Sequence, residues 1–266
     1  MKERSYNDIT IHSWEELIEK VYENSYRSDI NRYRTSFVFR GISDKGYELK
    51  TSLERNCKDN CGLENSILRN FIKYARLGAE SEKNIWKVLA IAQHHGLPTR
   101  LLDWTYSPFV AMHFATFDTD SFDKDGVIWC INIERMHEVI PGKLRTILKR
   151  ENAYAFTTEM LSEKCSNLGD FDTLSDNPFL LFFEPPSLDD RIINQFGLHS
   201  VVSNPTIIHD EILVNYPDYY KRLIIPKEIK LEIRDKLDQA NINERVLFPG
   251  LDGLCTWLAR HYRPLS

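Results

Sequence analysis

Polar side chains able to do chemistry crowd into one stretch, Ala92 to Ala115, which reads AQHHGLPTRLLDWTYSPFVAMHFA. His94 and His95 precede Gly96 and Pro98, a left-handed stop and a residue that forbids helical continuation, so both fall in a last helical turn. The negative end of the helix dipole favours a protonated imidazole there, although the spacing does not say which of the two points inward. Thr99, Arg100, Asp103, Thr105 and Ser107 follow on an expected loop. Arg100 and Asp103, three residues apart, read as an ion pair bracing it, because a buried charge without a partner is costly. Outside the stretch, Arg40-Gly41 closes a run of strand formers with no local partner for the guanidinium. It is expected either to contact a ligand or to pair with Asp103 or Glu184. Gln195, after Arg191, would bond backbone in a turn or orient a ligand.

The elements that must hold these groups follow from periodicity. Ile85, Trp86, Leu89 and Ala90 bring an apolar helix up to the histidines, and Ser107-Pro108 caps a second helix, apolar almost all round and therefore expected to be buried. Thr35 to Phe39 reads as an interior strand delivering Arg40-Gly41 to its end, with Tyr47 to Leu49 returning as a hairpin strand after the Asp44-Lys45-Gly46 turn. Leu53 and Arg55 then sit in a polar loop. Val127 to Ile133 has the continuous apolar character of a central strand, and Phe179 to Phe183, Leu198 to Val202 and Arg222 to Ile225 are further strands. Ser13 to Glu16 has the form of a capping box opening an amphipathic helix, and Asp189 favours the start of a short helix before Gly197. Residues 135 to 175 mix short helices and loops. Strands and helices neither alternate strictly nor segregate, which predicts an α+β fold with a mixed, largely antiparallel sheet flanked by helices.

The 266 residues, 42% hydrophobic, suffice for one sizeable core, and no linker or repeat divides them. A net charge of −5 does not favour a nucleic-acid partner, which generally meets a basic face. The first residues lack a signal-peptide core and no stretch is long and apolar enough to span a bilayer, so the expectation is a cytoplasmic protein without membrane association. Five scattered cysteines fit reduced thiols; Cys57 and Cys61 resemble half a metal site, but without a second pair no metal is expected.

Three stretches together resemble the FRG domain family, named for an aromatic-Arg-Gly motif: Phe39-Arg40-Gly41, then Gln93 to Thr105 with Ala111 and Phe114-Ala115, then Glu184-Pro185 with Arg191 to Gly197. His95 stands where the family often has tyrosine. The resemblance covers about residues 35 to 255, with 1–34 as an N-terminal strand and helix packed on the domain and 256–266 as the end of the last helix and a tail. It implies a bacterial or phage setting in defence or toxicity. In order of parts the chain is also similar to ADP-ribosyltransferases: an early strand-borne arginine, a Thr/Ser loop entering a helix, then a later polar residue. That likeness implies NAD as substrate, with Arg40 and Gly41 at the phosphates, Thr99, Arg100, Asp103, Thr105 and Ser107 forming the nucleotide pocket, and Glu184, Gln195 and His94 doing the chemistry. Cleaving a nicotinamide–ribose bond needs a pyrophosphate clamp, for which arginine's planar fork is suited, and a carboxylate to offset charge on the sugar. No Glu-x-Glu or Gln-x-Glu pair lies between Arg191 and Ser200. The alternative is a non-catalytic module whose pocket recognises a nucleotide, a nucleic-acid end or a protein partner.

Overall fold

A computed structural model describes residues 6–57, 61–76, 78, 83–187 and 189–263. The strands are β1 (Asp8–Thr10), β2 (Tyr26–Arg27), β3 (Arg32–Tyr33), β4 (Phe37–Ile42), β5 (Leu101–Thr105), β6 (Gly126–Asn132), β7 (Phe156–Thr157), β8 (Leu180–Glu184), β9 (Gly197–Val202) and β10 (Tyr220–Ile225). The first α-helices are α1 (Trp14–Tyr22), α2 (Ser52–Cys57), α3 (Glu64–Ala75), α4 (Ile85–His94), α5 (Pro108–Ala115), α6 (Ile133–Glu138) and α7 (Gly142–Glu151). After them come α8 (Thr158–Ser162), α9 (Leu168–Asp172), α10 (Asp190–Asn194), α11 (His209–Leu213), α12 (Lys227–Gln239), α13 (Glu244–Leu247) and α14 (Leu251–His261).

Apart from β2 and β3, which pair with each other, the strands form one sheet in the order β1-β10-β6-β4-β5-β9-β8-β7. Only the outer pairs β1/β10 and β7/β8 are parallel, so the sheet is mixed and largely antiparallel, as expected. Alternation along the strands divides the core. Val38, Trp129, Leu102, Trp104, Phe182 and Leu198 pack on one face. On the other face the layer is broken in two. Phe39, Ile128 and Leu223 pack under α1, α5 and α12, whereas Leu101, Phe183 and Val201 pack under α4 and its neighbours.

That break coincides with a split in the sheet. β4 pairs with β6 over six positions, but with β5 only at Phe39↔Thr105. Beyond that point β4 and β5 diverge. α5 lies against β4 so closely that a Cβ on Gly41 would stand 1.8 Å from the Ala111 carbonyl oxygen. Gly41 is thus required by helix packing.

Four local expectations are corrected. Leu101–Thr105 is a strand and not a loop, seated between β4 and β9, with every residue but Asp103 buried. Arg40-Gly41 lies inside β4, which runs on to Ile42. Tyr47 to Leu49 forms no strand, because β6 and β5 already occupy both edges of β4. Arg55 belongs to α2, whose start is closed by a reciprocal cap: Thr51 N donates to Glu54 Oε2 at 2.6 Å and Glu54 N to Thr51 Oγ1 at 3.2 Å. The caps at Ser13, Ser107 and Asp189 form as the sequence indicates.

Candidate functional site

A groove follows the break between the two helical layers. One part, about 610 Å³, is lined by Arg40, Gly41, Asp103, Thr105, Phe114 and Gln195, among others. The adjoining part, about 480 Å³, is lined by Gln93, His94, Asp103, Arg191, Gln195 and His199. Asp103, Trp104, Arg191 and Gln195 border both, so the two form one groove.

Asp103 is at its centre. In a strand buried on both sides its side chain is 62% exposed, opening into the groove. A chain of hydrogen bonds sets its position. Leu101 N donates to Thr99 Oγ1 at 3.1 Å, so the Thr99 hydroxyl proton goes to Gln93 Oε1 at 2.6 Å. This orients the amide so that Gln93 Nε2 donates to both carboxylate oxygens, at 3.1 and 3.2 Å. His199, its register partner on β9, places Nδ1 3.1 Å from Asp103 Oδ1, off the axis of a good hydrogen bond. Desolvation by the groove walls pushes the carboxyl up, but His199, Arg40 and Gln93 outweigh it and hold the pKa down to about 2. Asp103 is therefore ionised at any physiological pH.

Arg40 leaves β4 on the face of Val38, opposite Phe39 and Gly41. The split lets its guanidinium reach across, and Nη1 donates to the Asp103 carbonyl oxygen at 2.5 Å. Among the described residues it forms no ion pair, so neither Asp103 nor Glu184 is the carboxylate partner the sequence suggested. Its buried Nε has no hydrogen-bond partner. Burial lowers its pKa; the charge of Asp103 opposes this and the like charge of Arg55 adds to it.

The other expected residues divide. Thr105 lines the groove, its Oγ1 donating to the Gln195 carbonyl at 2.7 Å and accepting from Ser107 N at 2.9 Å. Gln195 also lines it, while its Nε2 donates to the Leu247 carbonyl at 3.0 Å. His94 reaches the groove with Nε2 against Asp189 Oδ2, whereas His95 is exposed. Thr99 is fully buried and acts through Gln93. Ser107 caps α5, accepting from Val110 N at 3.4 Å.

Arg100 is the clearest correction. Arg100 lies just before β5 and turns to side chains of α3 and α9, whereas Asp103, inside the strand, opens into the groove, so the two do not pair. Arg100, 5% exposed, instead holds Glu64, 3% exposed, and Asp172, with Nε at 2.8 Å from Glu64 Oε2 and Nη1 at 2.5 Å from Asp172 Oδ1. It ties α3 and α9 to the sheet, away from the groove. Glu184 lies outside the groove lining too, accepting from the Tyr106 hydroxyl at 2.8 Å. Burial followed by the Glu184 charge raises the Tyr106 pKa.

Sequence reasoning missed His199 and Arg191. His199 becomes visible only through the pairing of β5 with β9, and Arg191 only once α10 is placed over it. No group of three or more His, Cys, Asp or Glu among the described residues could hold a metal ion, and the Cys61 side chain lies outside them.

The whole is an α+β protein whose groove opens at a split in a largely antiparallel sheet. The FRG domain family matches residues 35–124, and the chain carries an FRG domain over that range. The matched segment runs from β4 to the loop before β6 and holds Arg40, Gln93 and Asp103. Arg191, Gln195 and His199, on the opposite wall, lie beyond it. No curated protein and no solved structure matches the chain.

Proposed function

We propose that the groove recognises a nucleotide, with NAD as the first candidate ligand. One observation carries this reading: a chain of hydrogen bonds through Thr99 and Gln93 holds an ionised carboxylate facing an open groove. Asp103 is suited to accept from a ribose diol or to face the positively charged pyridine ring of NAD. Arg40 and Arg191 border the same space with planar donors suited to phosphate. Phe114 and Val110 supply an apolar end for a base.

In this reading Asp103, and not Glu184, is the carboxylate available for charge stabilisation. The placement of Glu184 against Tyr106 favours, as second reading, recognition without turnover. Calorimetry with NAD, together with an assay of nicotinamide release, separates the two. Arg40→Lys keeps the charge and loses the planar fork, so NAD binding should weaken about tenfold with the fold intact. Asp103→Asn should abolish any turnover. Wild type that binds NAD without releasing nicotinamide, in the presence of cell lysate as acceptor, supports the recognition module. Wild type that binds no nucleotide ends the proposal. An NAD-consuming activity would also make the chain toxic, the trait expected of a bacterial or phage defence effector. Growth arrest with a falling NAD pool on induction of wild type, and not of Asp103→Asn, checks that extension.

A further inference from the structure

Arg40 borders a second cleft on the far side of the split, of about 1010 Å³, lined with Tyr47, Glu48, Lys50 and Arg55 among others. Its charge is lopsided. Glu48 pairs with Lys50 at 2.6 Å, which leaves two guanidinium groups facing one space. Among the described residues neither Arg40 nor Arg55 forms an ion pair, and the two are close enough for Arg55 to depress the Arg40 pKa. Like charges held together across an open cleft cost energy that an anion between them would recover. The arrangement is built, not accidental: Arg55 Nη1 donates to the Lys50 carbonyl at 2.5 Å, from a helix fixed by the Thr51–Glu54 cap, while Arg40 is anchored to the Asp103 carbonyl. Arg40 Nε itself is buried and has no hydrogen-bond partner. Tyr47 stands at the wall, 56% exposed as a residue, with Lys124 Nζ 5.9 Å from its ring centroid on one face, although the structure offers an apolar core nearby through Leu49.

We propose that this cleft is a second, anion-binding site that takes the phosphates of a nucleotide between Arg40 and Arg55 and the base on Tyr47. Guanidinium forks bind phosphate oxygens through charge-assisted hydrogen bonds, and an exposed aromatic ring supplies a stacking surface for any base. The site is separate from the Asp103 groove and does not rest on the reading of that groove. The two share only Arg40.

The test uses the whole chain with ADP and inorganic pyrophosphate as probes. Calorimetry should show ADP bound more tightly than pyrophosphate, with Arg55→Ala weakening both about tenfold and Tyr47→Ala weakening ADP alone. Arg55→Lys, which keeps the charge, should recover part of the loss and guards against a folding defect. Chemical modification of arginines by phenylglyoxal, read by mass spectrometry, reports on the site directly: ADP should protect Arg55, in wild type and in Asp103→Asn alike. Equal modification of Arg55 with and without ADP overturns the site. Equal affinity for ADP and pyrophosphate overturns the nucleotide assignment. Loss of Arg55 protection in Asp103→Asn overturns the separation of the two sites. Failure of NAD to bind the Asp103 groove, with Arg55 still protected by ADP, would remove the proposed function and leave this one standing.

Discussion

Asp103 and Arg100 stand three residues apart with opposite duties, and substitutions should tell them apart. Asp103 opens to solvent in the groove but is held by Gln93 and His199, so Asp103→Ala should cost about 1 kcal/mol, well below the loss of a buried pair. Glu64→Ala removes the buried carboxylate that accepts from Arg100 Nε and Nη2 and leaves Asp172 as its remaining carboxylate partner, and should cost about 3 kcal/mol. Urea unfolding of the two variants measures both; a large loss in Asp103→Ala would mean the carboxylate braces the fold after all. Thr99→Val tests the chain behind Asp103. It removes the hydroxyl that orients Gln93, so ligand binding in the groove should weaken while Asp103 itself is untouched.

Among the elements, α5 and the C-terminal helices show what the layers on the grooved face require. Gly41→Ala would drive a methyl group into the α5 backbone, 1.8 Å from the Ala111 carbonyl and 2.6 Å from Ala115 N. Neither atom can rotate away, so a loss of about 3 kcal/mol or more is expected in thermal or urea unfolding. At the other end, Arg260 on α14 joins α12 and α13: it donates to Glu244 at 2.7 and 2.8 Å and to Asp238 at 2.8 and 2.7 Å. Glu244 is buried and also lies 3.4 Å from Arg234. Arg260→Ala should therefore release α14 from the domain, seen as faster amide exchange across residues 251–261 with the β6 amides still protected.

For the whole molecule, acid sensitivity follows from three buried histidines held neutral. Burial, chiefly, lowers His113 to about 3, His137 to about 4 and His209 to about 3. Hydrogen bonding agrees for two of them. His113 Nδ1 faces an Arg234 donor at 2.8 Å, and His137 Nε2 accepts from Phe182 N at 3.0 Å while Nδ1 donates to the Tyr154 carbonyl at 2.8 Å. Each folded pKa lies below the unfolded value of 6.5, so as pH falls the unfolded chain takes up the proton first. Stability is full above pH 6.5 and declines below it, by at most about 1.4 kcal/mol per pH unit for each histidine. Asp103, depressed from 3.8 to about 2, loses its contribution only below pH 3.8 and so does not act in that window. Urea midpoints between pH 7.5 and 5 check the slope; a flat profile would mean these histidines are not held neutral.

Much of this was legible in the amino-acid order because it is local. Caps at Ser13, Ser107 and Asp189, the stop at Gly96, the apolar runs of β6 and β8 and the buried face of α5 each depend on residues within a turn or two, so period and propensity suffice to read them. Two of the three FRG stretches likewise lie within the matched segment, residues 35–124, and Gln93, Arg40, Asp103 and Thr105 do meet at one groove. What escaped is set by distant partners. Leu101–Thr105 becomes a strand because β4 and β9 flank it, and Arg100, just before it, finds its carboxylates on α3 and α9, 36 and 72 residues away. His199 joins Asp103 through a pairing across 96 residues. The groove itself exists because β4 and β5 hold together at a single position and then part, an outcome of how two helical layers pack on one sheet. No local pattern encodes that separation; the tertiary structure alone decides it.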